Sequence, residues 1–107
     1  MDEAVSPHIS IDRDAVSAFC VRHHIKLLAL FGSVLRDDFR PDSDVDVLVS
    51  FGPGATPSLL GVATMRDELS AIFGRRVDLV SRRAVERSAN HIRRRAILGS
   101  LDRIYVA

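Results

Sequence analysis

The sequence predicts an α/β (α+β) domain, a small mixed β-sheet with helices packed on one face. Three observations carry this. Segments of helical and strand period alternate along the chain in the order helix, strand, helical turn, strand, helix, strand, helix. The strand segments are short apolar runs bounded by glycine, proline or serine. At 107 residues there is room for one domain, residues 1–107, built round one compact core.

Residues 1–10 are polar and broken by Pro7, and read as a flexible N-terminal arm. Asp12 is a natural N-cap, and Ala15, Val16, Phe19 and Cys20 follow with helical spacing, so a first helix should end near His23 or His24. Ile25 to Phe31 is an almost unbroken apolar strand. Gly32-Ser33 turns the chain into a short helical segment, Val34 to Asp38, and Pro41-Asp42-Ser43 turns it again. A second strand, Val45 to Ser50, carries Asp46 among valines and leucine and ends in the loop Gly52 to Pro57.

Leu59, Val62, Ala63, Leu69, Ile72 and Phe73 then form one helical stripe, with Gly74 as its C-cap. Arg76 to Val80 is a third strand. Ser81 caps a helix expected to run to about Leu98, where Gly99 stops it, and Ile104 to Val106 closes the chain as a strand or turn.

Composition excludes several classes. No apolar stretch approaches the roughly 20 residues of a membrane span, and the start of the chain lacks the basic and apolar regions of a secretory signal, so a cytoplasmic location is expected. The one cysteine, Cys20, has no partner for a disulfide or a zinc site and sits on the apolar side of the first helix. The net charge of +1 conceals a split. Residues 75–107 hold nine arginines against Asp78, Glu86 and Asp102, a net of +6, and residues 1–74 carry −5. A split of this kind suits nucleic acid, a triphosphate or an acidic protein surface, and charge alone does not choose among them. Nucleic acid is not an expected partner, because only Tyr105 offers an aromatic near the arginines and single-strand binders interleave the two.

The chemistry lies in Gly32, Ser33, Asp44, Asp46 and Asp78. Strand side chains alternate between faces, so Asp44 and Asp46 share one face while Val45 and Val47 take the other. By the same alternation Asp78 opposes Val77 and Leu79, and all three carboxylates converge if the two strands are neighbours. Like charges so close repel unless a cation neutralises them. Magnesium is commonly held by one or two carboxylates together with substrate phosphates, and paired metals can stabilise both attacking and leaving oxygens. Gly32 lets a phosphate approach the backbone, and Ser33 adds a hydroxyl at the start of a helical turn whose N–H groups favour anions.

With a Gly-Ser pair, about ten residues, Asp-x-Asp and a later strand aspartate, the chain resembles the DNA polymerase beta-like nucleotidyltransferase superfamily over residues 25–80. More narrowly it resembles the minimal nucleotidyltransferase (MNT) antitoxins of HEPN/MNT pairs, on its single short domain, Arg36, Ser43 and Ile104-Tyr105. Asp37 departs from that pattern, where glycine often follows the arginine. The resemblance implies that Gly32 and Ser33 hold the triphosphate of ATP. It implies that Asp44, Asp46 and Asp78 are catalytic and bind two magnesium ions, with manganese as a substitute. It further implies transfer of AMP to a hydroxyl, a tyrosine of a HEPN ribonuclease toxin, which would silence that toxin.

Two other functions fit the same residues. The chain could neutralise a toxin by binding alone, or it could modify a small molecule such as an aminoglycoside. The intact carboxylate set speaks against the first, and the small size, with no second domain to wall an acceptor pocket, against the second.

Overall fold

The computed structural model describes residues 11–32, 44–55, 57–99 and 101–107. The expected arm 1–10, Ser33, the turn 34–38 and the turn 41–43 lie outside these residues.

The first helix, α1 (Arg13–Arg22), starts where the sequence places it. The Asp12 carboxylate accepts from the Ala15 N–H, satisfying one of the donors that a helix start leaves free, and the helix buries Val16, Phe19 and Cys20. Strand β1 (Ile25–Phe31) follows at once. The reversal between them is made by His24, which adopts φ 57°, the left-handed region, and whose carbonyl accepts from the Gly52 N–H at 2.9 Å. Strand β2 (Val45–Phe51) leads to α2 (Leu59–Phe73), capped by the Ser58 hydroxyl and ended by Gly74 at φ 69°.

The Ser70 hydroxyl then accepts from the Val77 N–H at 3.2 Å, and its carbonyl accepts from the Arg75 N–H at the same distance. One serine thus ties the end of α2 to the start of β3 (Val77–Ser81). The chain finishes with α3 (Arg82–Glu86), α4 (His91–Leu98) and β4 (Asp102–Val106).

The four strands form one mixed sheet in the order β3-β2-β1-β4. β1 is antiparallel to both β2 and β4, and β2 runs parallel to β3. Val45, Val47 and Val49 of β2 face a core built from Val16, Phe19 and Cys20 of α1 and Met65, Leu69 and Phe73 of α2. This is the main apolar core.

The mixed sheet agrees with the expected fold class, but the helices are arranged differently. α1 and α2 cover one face, while Val85 of α3 and Ile97 of α4 pack with Leu27, Phe31 and Leu48 on the other. β1 and β2 are interior strands, and their apolar residues point to both faces, so each face needs a cover. The single helix expected between Ser81 and Leu98 is two helices. The Ser88 hydroxyl accepts from the Asn90 N–H, and the Asn90 side chain accepts from the Arg93 N–H, so local side-chain bonds end one helix and cap the next. The start of the α2 stripe also differs. Leu59 is 91% exposed, because it lies in the first turn, beyond the sheet that buries Met65, Leu69 and Phe73.

Two electrostatic and steric details bear on stability. Glu68 of α2 bonds His23 through one carboxylate oxygen, at 2.7 Å, and Arg22 through the other, joining the end of α1 to α2. Partial burial pushes the Glu68 carboxyl up, but the bonds and charges of His23 and Arg22 outweigh it and hold the group below its ordinary value of 4.5. Burial also pushes the Cys20 thiol up to about 12, so it behaves as an apolar core residue.

A carboxyl held low in the folded state contributes stability above its unfolded pKa and loses it as pH falls through the folded one. Urea unfolding across pH should therefore show wild type losing its advantage over Glu68→Gln as pH drops below 4.5, by no more than about 1 kcal/mol for so exposed a pair. At His24 the left-handed backbone penalises side chains. His24→Gly should leave stability unchanged or raise it, whereas His24→Val should lower it by about 1 kcal/mol or more in the same assay.

Candidate active site

The parallel pairing of β2 with β3 decides the geometry of the site. Val45 lies opposite Val77, Asp46 opposite Asp78 and Val47 opposite Leu79. Since Val45, Val47 and Val77 point into the main core, Asp46 and Asp78 stand side by side on the opposite face of the sheet. Asp44, two residues before Asp46, shares that face at the end where both strands begin. Asp46 is half-buried, and Asp44 and Asp78 are exposed.

Gly32 comes next to this row from β1. Phe31 is the register partner of Asp46, so the chain leaves the sheet at Gly32 directly beside the Asp46 carboxylate. Gly32 takes φ 78°, and a Cβ built on it would collide with the Asp46 carboxylate, whose Cγ would stand at 3.2 Å. Glycine is required here twice, by backbone conformation and by the approach of an acidic side chain. Ser33, the other residue expected to hold a triphosphate, lies outside the described residues.

Asp44 is engaged by a residue that the sequence reading placed only as the start of a strand. The Arg76 Nε–H donates to Asp44 Oδ1 at 2.8 Å, and the Arg76 carbonyl accepts from the Val45 N–H at 2.9 Å. The register predicts this contact, since position 44 faces 76 when 45 faces 77. Alternation within one strand does not reveal it, and the parallel alignment of two does. Among the described residues, no group of three carboxylate, histidine or cysteine side chains is gathered closely enough to share one cation.

The donor set nevertheless suits a divalent cation of the magnesium type. All three groups are hard oxygen donors on one face, two of them in register on neighbouring strands, and one already holds a cationic guanidinium.

The description "nucleotidyltransferase domain" belongs to a family model that matches residues 13–101. The chain belongs to the nucleotidyltransferase domain family. Within that family, the protein adenylyltransferase MntA of Thermococcus cleftensis is 38% identical over 65 residues, 61% of this chain and 64% of that protein. The matched stretch spans 63% to 64% of the length of two such curated relatives. A solved structure of a chain assigned as a minimal nucleotidyltransferase is 38% identical and superimposes with a TM-score of 0.63, covering 84% of this chain and 86% of that one. A chain of the solved complex of tri-AMPylated Shewanella oneidensis HEPN toxin with MNT antitoxin superimposes with a TM-score of 0.60, covering 89% and 70%. At 18% identity that likeness shows the fold alone. No helix among the described residues is long and apolar enough to cross a membrane.

Two glycines separate backbone strain from site crowding. Gly54 has φ 79° but open space where a Cβ would go, whereas Gly32 has both the strain and the carboxylate. Gly54→Ala should cost about 1 kcal/mol in urea unfolding. Gly32→Ala should cost at least about 1 kcal/mol more, because Asp46 must move. Equal costs would show that Asp46 does not crowd Gly32.

Proposed function

We propose that this chain is a metal-dependent nucleotidyltransferase that moves AMP from ATP to a hydroxyl, a tyrosine of a cognate HEPN-type ribonuclease toxin, breaking the bond between the α- and β-phosphates and releasing pyrophosphate, and so acts as that toxin's antitoxin. The observation that carries the reading is the Asp46–Asp78 register pair, with Asp44 on the same face and Gly32 closing against it. Family membership and the naming of a 38% identical relative as a protein adenylyltransferase support it. The complex of an MNT antitoxin with an AMPylated HEPN toxin supports the choice of a HEPN toxin as the acceptor protein.

In this reading Asp44, Asp46 and Asp78 would hold the magnesium ions, which supply charge neutralisation at the α-phosphate and acidify the attacking hydroxyl. Gly32 and Ser33 would hold the triphosphate, the first by leaving its backbone accessible and the second by its hydroxyl. Asp78, on an edge strand and exposed, is the carboxylate best placed to meet an acceptor arriving from outside and to take its proton. Placement of donor and acceptor in line supplies much of the rate. The acceptor wall would come from the partner protein, and the basic C-terminal half gives that partner a surface of defined sign.

The test is the intact mass of a co-expressed HEPN candidate after incubation with ATP and magnesium. Wild type should add mass in steps of one AMP, and a chain carrying Asp44→Ala with Asp46→Ala should add none while still forming the complex. A complex that protects cells from the toxin without any added mass in wild type would replace catalysis with neutralisation by binding.

A further inference from the structure

Arg76 stands just before β3, and its carbonyl is bonded to the Val45 N–H, so the backbone itself sets its side chain beside Asp44. The contact is a single Nε–H donation at 2.8 Å, not the two-pronged pairing that makes arginine–carboxylate bridges strong. The Arg76 side chain is 79% exposed and that of Asp44 46%, so opening the pair leaves neither charge buried. It is therefore a weak, reversible neutralisation of one of the three site carboxylates. A divalent ion carries twice the charge of a guanidinium and seeks the same oxygens.

From this we propose that Arg76 is the resident counter-charge of Asp44, displaced when a divalent cation enters the site. This rests on reading Asp44, Asp46 and Asp78 as cation-binding carboxylates. Arg76 offsets part of the mutual repulsion of three carboxylates on one face before a cation arrives. Arg76 is thus a positioning residue that acts through Asp44, and its cost is a lower affinity for the metal in the absence of nucleotide.

The experiment is titration of the whole chain with Mn2+ alone, followed by electron paramagnetic resonance, for wild type, Arg76→Gln, Arg83→Gln and Asp46→Asn. Arg83 is an exposed arginine in the first turn of α3, past the end of β3 remote from Asp44, and controls for general charge. Arg76→Gln should bind Mn2+ about twofold to fivefold more tightly, the worth of an exposed ion pair. Arg83→Gln should match wild type, and Asp46→Asn should lose the site. In a parallel nuclear magnetic resonance titration with Mg2+, the Arg76 Nε–H signal should move to the position of a solvated guanidinium as the metal binds. Unchanged or weaker binding by Arg76→Gln, equal tightening by Arg83→Gln, or an Arg76 Nε–H signal that Mg2+ leaves in place would each overturn the proposal while the Asp46 dependence keeps the metal site. Mn2+ binding indifferent to Asp46→Asn would overturn the site itself, and the role of Arg76 with it.

Discussion

The parallel ladder between β2 and β3 is the constraint on which the site depends. β2 is an interior strand whose valines are locked into the main core at essentially zero exposure, so its other face is determined at every second residue. A slip of one residue would drive Asp46 into that core and expose Val45 and Val47, exchanging a stabilising burial for an unpaired charge. Pairing with β3 then transfers the same constraint to Asp78. The acidic row is held from behind by hydrophobic packing, which is why carboxylates can stand together at one end of so small a sheet.

Electrostatics completes what packing imposes. Three carboxylates on one face are tolerable at a solvent-exposed sheet end, and the Arg76 guanidinium reduces the repulsion further. Gly32 contributes by absence. With no side chain it lets the Asp46 carboxylate lie against the backbone that leaves β1. The far end of the sheet is organised separately, by the Glu68 clasp on Arg22 and His23 and by the His24–Gly52 backbone bond. Strain and clasp thus sit away from the carboxylates, at the turn that fixes the direction of β1.

Most elements were legible because their signals are local. Asp12 and Ser81 cap helices through their own side chains, and Gly74 ends α2 with the left-handed backbone that its lack of a Cβ allows. The split of the last helical region was hidden. Its residues are compatible with a continuous helix, and the break comes from Ser88 and Asn90 preferring bonds to nearby backbone N–H groups. Leu59 shows the opposite failure. It fits the apolar stripe by spacing, yet periodicity does not say where along its length a helix leaves the sheet.

By itself the sequence determined the class of the fold, the span of nearly every strand, and the face on which Asp44 and Asp46 must lie, because alternation and capping depend only on neighbours in the chain. It also carried, in the spacing of Gly32, Ser33 and the aspartates, the resemblance that the family match to residues 13–101 later bore out at the level of the family. The tertiary structure alone decided that β3 lies beside β2, that Asp46 faces Asp78, that helices cover both sides of the sheet, and that Arg76 meets Asp44. Each of these relates segments that do not follow one another in the chain, as Arg76 and Asp44, 32 positions apart, show. Such relations are set by which apolar faces bury one another, and no local pattern records that choice.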